Sequence, residues 1–171
     1  MLDENSKYIT GLIERSKGKN FKSYLQLVHL YSDGVFSFIH RILLIEDDST
    51  RITINVFKFV WENIAQVRLN SSFITWLRGI ALVFIMAEYR KDKEAFLHKL
   101  TTTKQKLYNN HSEVDNLIAR LDFEYRLCLV LHDIIGYSLI EIEGIISEYN
   151  VEQLRQILDI ARLRVGEDIR K

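Results

Sequence analysis

The sequence predicts an all-α protein made of two small helical domains joined by a linker. Three observations carry that expectation. Apolar residues recur at three- and four-residue steps through almost the whole chain, the mark of amphipathic helices. Among 171 residues there is no proline and there are only seven glycines, which suits helices with short connections. Between two apolar-periodic halves, KDKEAFLHKLTTTKQKLYNNHSE is polar and runs into Asn109-Asn110, so the connection between the domains is expected there.

The elements follow in order. Tyr8 to Ser16 makes a first helix, stopped by Lys17-Gly18. Phe21 to Leu44 places Tyr24, Leu27, Val28, Tyr31, Val35, Phe38, Ile39 and Ile42 at helical spacing, with Ser32 and Gly34 as expected points of interruption. Glu46-Asp47-Asp48-Ser49 then gives a capped, negatively charged first turn to a third helix. That helix runs to about Ala65, with Ile52, Val56, Phe59, Val60 and Ile64 facing inward. Asn70-Ser71-Ser72 caps a fourth helix, Phe73 to about Arg90. Its apolar run FITWLRGIALVFIMA is broken by Arg78 and Gly79, which suits a buried core helix. Beyond Val114 come NLIARL, FEYRLCLVLHDII, SLIEIEGIIS and VEQLRQILDIARLRV, separated by turns at Asp122 and Gly136-Tyr137-Ser138. In the last of these, Val151, Leu154, Leu158, Ala161 and Val165 form one buried stripe, and Arg155 and Arg162 flank one edge of it. Ile157 and Ile160 fall at or beyond the other edge, where they serve either as core or as a partner surface.

Composition excludes several classes. No apolar run approaches the roughly eighteen residues needed to span a bilayer, and MLDENSKYIT has no signal-peptide core, so a soluble cytoplasmic protein without membrane insertion is expected. The one cysteine, Cys128, sits in the apolar run RLCLVL and is expected to be a buried, inert thiol. His29, His40, His98, His111 and His132 show no metal-ligand spacing. Glu141 and Glu143 project from different helix faces, and Glu46-Asp47-Asp48 lacks the glycine and terminal Glu of a calcium loop. With no phosphate loop and no nucleophile motif, neither an enzyme, a cofactor, a metal nor a small-molecule substrate is expected. The formal net charge is zero, a handicap for any nucleic-acid binder. Trp61 and Trp76 lie on apolar stripes and are expected in the core. Tyr89 beside Arg90 and Lys91 is the best aromatic-plus-basic candidate for single-stranded DNA.

The stretch from Leu121 to Val165 resembles region four of the extracytoplasmic-function group of bacterial sigma factors. The matching residues are Leu121, Arg126, Gly136, Tyr137, Ser138, Glu141, Ile142, Leu154, Leu158, Ala161 and Arg162. FSFIHRIL, FKFVW and SSFITWLRGIA, followed by Glu88-Tyr89-Arg90-Lys91, are similar to region two of the same family. The resemblance implies residues 1–94 as a region-two-like domain, 95–111 as linker and 112–171 as a region-four-like helix-turn-helix domain. It further implies a sigma factor that directs RNA polymerase core to promoter DNA, opens it, and answers to an anti-sigma protein. Tyr89, Arg90 and Lys91 would then meet melted DNA, while Gln153, Arg155 and Arg162 would meet the upstream element in the major groove.

Departures from the family pattern fall on the partner-facing surfaces. The segment Arg51-Ile52-Thr53-Ile54-Asn55 replaces an acidic-polar run where the polymerase clamp is expected, and Ile80-Ala81-Leu82-Val83 lacks the usual arginine and asparagine. Asp122 stands for a proline, SEYNVEQ carries an extra residue, and Ile157, Asp159 and Ile160 occupy positions that are commonly basic. From His111 to Lys171 there are seven Lys plus Arg against twelve Asp plus Glu, a net of −5. Carboxylates at phosphate contacts remove counterion release and add repulsion. An alternative therefore stands beside the sigma factor: a sigma-like protein that has lost promoter binding and regulates transcription through protein contacts at Arg51, Ile54, Asn55, Ile157 and Ile160.

Overall fold

A computed structural model describes residues 4–67, 72–104 and 113–169. The described residues are helical throughout, without a strand. Helices α1 (Glu4–Lys17), α2 (Phe21–Leu43), α3 (Glu46–Asn63) and α4 (Phe73–Lys91) form the N-terminal half. Helix α5 (Lys93–Lys104) follows α4 after one residue and occupies the first part of the expected linker; 105–112, with Asn109, Asn110 and His111, lie outside the described residues. The C-terminal half comprises α6 (Glu113–Arg120), α7 (Phe123–Leu129), α8 (Leu139–Ile146) and α9 (Val151–Ile169).

Helix α2 is the axis of the N-terminal half and touches α1, α3 and α4. Asn20 caps its start, accepting from the Ser23 N–H at 3.0 Å, and Leu44 ends it in the left-handed region at φ 61°. The expected interruption at Ser32 and Gly34 does not occur. Val35, Phe38 and Ile39 bury the following turn, and Gly34 faces Ile74 Cδ1 with room for a Cβ at 3.7 Å, so packing overrides the weak local propensity. The acidic first turn of α3 is Glu46, Asp47 and Asp48, as expected, but the expected cap does not form: the cluster lies inside the helix, the N-cap position is Ile45 and no side chain caps it. The helix closes in a 3₁₀ turn over Ile64–Gln66. Ile52, Val56, Val60 and Ile64 are buried, but Phe59 is exposed and Phe57 takes an inward place. The helical repeat permits either, and the Phe57 carbonyl accepts a short hydrogen bond from buried Tyr24 Oη. Ser72 caps α4 through the Thr75 N–H at 3.3 Å, while Asn70 and Ser71 lie outside the described residues.

Trp61 is half-buried and meets Tyr24 and Phe21 at 5.0 and 5.2 Å between ring centroids; Trp76 is half-buried beside Phe73. Both pack against the core, as their stripe positions predict. In the C-terminal half, α7 runs on into a π-helical turn, Val130–Ile135, stopped by Gly136 at φ 90°. Only glycine adopts that angle without strain. The stripe Leu154, Leu158 and Ala161 of α9 is buried against α7, with Val151 and Val165 half-buried at its ends.

The two halves are in contact. Helices α6 and α7 touch α2, and α8 touches α4, so a single apolar cluster runs from Leu12 through Leu100 to Ala161. Each fully buried large apolar side chain in such a cluster is worth about 1.5–3 kcal/mol relative to exposure.

Candidate functional site

The candidate site has three parts: the end of α4, the outward face of α3, and the α8–α9 helix pair. Helix α8 begins in a reciprocal capping box. Glu141 N–H donates to Ser138 Oγ at 3.3 Å, and Ser138 N–H donates back to Glu141 Oε2 at 2.8 Å. Those bonds to the anion hold the Glu141 carboxyl below its ordinary range. Ser147, left-handed at φ 57°, ends α8 by donating its N–H to the Glu143 carbonyl at 2.9 Å. Helix α9 then starts in a second box. Gln153 N–H donates to Asn150 Oδ1 at 2.9 Å, and Asn150 N–H donates to Gln153 Oε1 at 3.0 Å.

The expected DNA contacts of α9 are therefore partly engaged inside the protein. Gln153 caps its own helix. Arg162 forms a two-pronged pair with Asp133, at 2.9 Å from Nε to Oδ2 and 2.6 Å from Nη2 to Oδ1, and this pairing holds Asp133 below the ordinary carboxylate range. Arg155 points to solvent, with Glu152 at 3.7 Å. Arg164 lies 4.4 Å over the Tyr125 ring and reaches Asp122 Oδ2 at 3.1 Å. On the same helix Ile157 is half-buried against the core, while Ile160 is 39% exposed and Leu163 67%. The pair of isoleucines thus divides: Ile157 belongs to the core edge and Ile160 to the surface.

At the end of α4, Tyr89 and Arg90 turn toward the C-terminal half. Tyr89 is only 4% exposed; its ring stacks on Phe123 at 5.2 Å and its hydroxyl donates to Glu124 Oε1 at 3.1 Å. Burial, with Glu124 nearby, pushes the phenol up to about 12. Phe96 of α5 completes the cluster, edge-on to Tyr89 and to Phe123 at 5.6 and 4.9 Å. The Arg90 guanidinium holds the Glu148 carboxylate, with Nη2 to Oε2 at 3.1 Å, and also donates to Ser147 Oγ and to the Ile146 carbonyl. Lys91 is exposed at the helix end.

The α3 face differs in kind. Arg51 is bonded to both oxygens of Glu88 and to Asp48 Oδ1 at 3.0 Å, so the reversed charge at this position is neutralised from within. Burial works to raise Asp48, but hydrogen bonds from Lys99 and Arg51 outweigh it and hold the carboxyl low. Ile54 is 50% exposed, Asn55 is half-buried, and Phe59 and Val83 add exposed apolar surface on α3 and α4. Among the described residues, no group of three metal-ligating side chains is present, and no helix is long and apolar enough to cross a membrane.

No protein-family model matches the chain, and no curated protein sequence does. Solved structures do match. CnrH, determined in complex with the cytosolic domain of CnrY, aligns over 92% of this chain and 94% of its own, at TM-score 0.58 and 20% identity. The sigma factor RpoE, determined with the anti-sigma factor NepR from Bartonella quintana, aligns over 87% and 98%, at TM-score 0.60 and 14% identity. The chain has the fold of an extracytoplasmic-function sigma factor. The alignments cover most of this chain, so the shared fold accounts for both of its halves.

Sequence reasoning missed Arg126, Phe123, Glu124 and Glu148 as joint residues. Arg126 carried a signal, being a lone cation at the head of an apolar run. The others look locally like ordinary cap or surface positions, and only the approach of the halves assigns them.

Proposed function

We propose that this protein acts as a sigma-like subunit that binds RNA polymerase core in the cytoplasm, brings it to promoter DNA and starts transcription. The observation that carries the reading is the fold match over both halves together, with a capped α8–α9 helix pair at its C-terminal end. Fold alone does not assign function, so the surfaces must carry the rest. Polymerase would be held by the apolar α3–α4 face around Ile54. Promoter DNA would meet Tyr89, Arg90 and Lys91 when melted, and Arg155 with Gln153 and Arg162 at the upstream element. Catalysis belongs to the polymerase in this reading. Both similar structures were solved with a bound protein, in one case an anti-sigma factor, and a partner of that kind is proposed here too.

The second reading, regulation through protein contacts without promoter binding, is favoured by one feature of α9. Its outward face carries Glu152, Asp159, Ile160 and Leu163, all exposed, and its exposed arginines all face carboxylates: Arg155 faces Glu152, Arg162 faces Asp133 and Arg164 faces Asp122. The test is reconstitution with core polymerase, followed by run-off transcription on fragments of the host genome. Initiation at discrete start sites that disappears with Ile54→Asp supports the first reading. Polymerase binding with no start site, or no polymerase binding at all, refutes the first and supports the second.

A further inference from the structure

Two arginines cross the joint between the halves in opposite directions, and each ends on the last turn of a helix. Arg126 of α7 is fully buried; its Nε donates to the Ile42 carbonyl of α2 at 2.8 Å and its Nη1 to the Leu121 carbonyl at 2.6 Å. Ile42 lies in the final turn of α2, where carbonyls have no partner within the helix. Arg90 of α4 does the reciprocal job, donating to the carbonyl of Ile146, the last residue of α8. The negative end of each helix dipole thus faces a cation from the other half. Around these pins lie further cross-joint bonds, Arg41 Nε to Asp115 Oδ1 at 2.8 Å and Tyr137 Oη to the Thr75 carbonyl at 3.3 Å.

The same closure buries Tyr89 and ties the Arg90 guanidinium to Glu148, although the arginine side chain itself stays 44% exposed. A single-stranded nucleic acid needs the ring face for stacking and the guanidinium for phosphate. Here Phe123 covers the face, and Glu148 holds the guanidinium. One buried atom of the seam, Arg126 Nη2, has no hydrogen-bond partner, so closure leaves part of a guanidinium's desolvation uncompensated. A joint with that deficit is poised to open when a partner offers better contacts.

We infer that Arg126 and Arg90 form a reciprocal latch that closes the free chain on itself, covers the Tyr89 ring against single-stranded nucleic acid and holds the Arg90 guanidinium in an ion pair. The latch stands on the contacts alone, whereas its consequence for DNA rests on the proposed sigma function.

Spin labels at Lys58→Cys on α3 and Gln156→Cys on α9, in a Cys128→Ala background, report the separation of the halves in the full chain by pulsed electron spin resonance. A single narrow distance is expected for the otherwise unaltered protein. Glu148→Arg should shift the open-to-closed ratio by about tenfold and broaden the distribution to longer distances. Glu148→Gln, which keeps an oxygen that accepts from Arg90 and leaves the bond to the Ile146 carbonyl intact, should retain the narrow peak; should Glu148→Arg lose its helical circular dichroism, Glu148→Ala replaces it. A broad distribution before any seam substitution, or one that Glu148→Arg and Glu148→Ala leave unchanged, overturns the latch. Fluorescence anisotropy with a 5′-labelled oligothymidylate reads the second half: Glu148→Ala should bind about fivefold more tightly than the parent. An opened joint with unchanged affinity overturns the sequestration and leaves the latch standing. Failure of promoter-dependent transcription, by contrast, bears on the sigma function and not on the measured distances.

Discussion

Replacing Arg126 is the sharpest test of how the two halves are held. The side chain is fully buried and supplies donors to two carbonyls, Ile42 at 2.8 Å and Leu121 at 2.6 Å, one on each side of the joint. A hydrogen bond from a charged donor contributes about 1.5–3 kcal/mol, so the two bonds are worth roughly 3–6 kcal/mol before opposing effects. Burial of the cation opposes them and brings the guanidinium pKa down to about 10. Arg126→Ala removes both donors and leaves a void, and should destabilise the protein by about 3–5 kcal/mol. Arg126→Met fills most of that space and needs no desolvation of a charge, so its loss should be smaller by about 1–2 kcal/mol. Arg126→Lys keeps the charge but lacks the planar fork, and should fall between them. Urea unfolding followed by circular dichroism and tryptophan fluorescence gives the values, with coincident transitions confirming two-state behaviour. An Arg126→Ala variant within about 1 kcal/mol of the parent would refute the structural role assigned to this side chain.

Further outcomes follow from individual groups. Ser138→Ala breaks the α8 capping box and should cost about 1 kcal/mol, seen as a melting point lower by about 2–4 °C. Cys128, its thiol pushed up to about 11 by burial, should resist an aromatic disulfide reagent at pH 8 until urea unfolds the chain; rapid labelling of the folded protein would contradict its place under α9. Asp48 and Asp133 both have folded-state pKa values depressed below their ordinary 3.8. The unfolded chain therefore binds more protons in the window between. Their stabilisation is present above pH 3.8 and lost as pH falls through the lowered values, so chemical-denaturation midpoints should decline there. Asp133→Asn should flatten that decline and should loosen Arg162.

The exchange of roles among the arginines shows how sequence and structure divide the information. Helix positions, caps and the α9 stripe were legible because each depends on residues a few places apart. Ser138 with Glu141, and Leu154 with Leu158 and Ala161, declare themselves within one or two turns. The family resemblance was legible for the same reason, since it rests on local motifs in fixed order. Phe59 and the uninterrupted α2 were not, because a repeat of 3.6 leaves the edges of a stripe open and a neighbouring helix decides them.

The expected site residues divide along the same line. Nothing near Tyr89 in the chain indicates Phe123, and nothing near Arg90 indicates Glu148. Arg162 and Gln153 have the chemistry of base readers, but the Arg162 donors meet Asp133, and the Gln153 side-chain oxygen accepts from the Asn150 N–H in the α9 cap. The sequence by itself determined an all-helical chain and most of its helices, though not α5, which fills the first part of the segment read as linker. Tertiary structure decided which of the expected site side chains remain available. The physical reason is range: helix periodicity and capping act over about one turn, whereas the pairing of a guanidinium with a carboxylate or a helix end depends on which surfaces the core brings within hydrogen-bond reach.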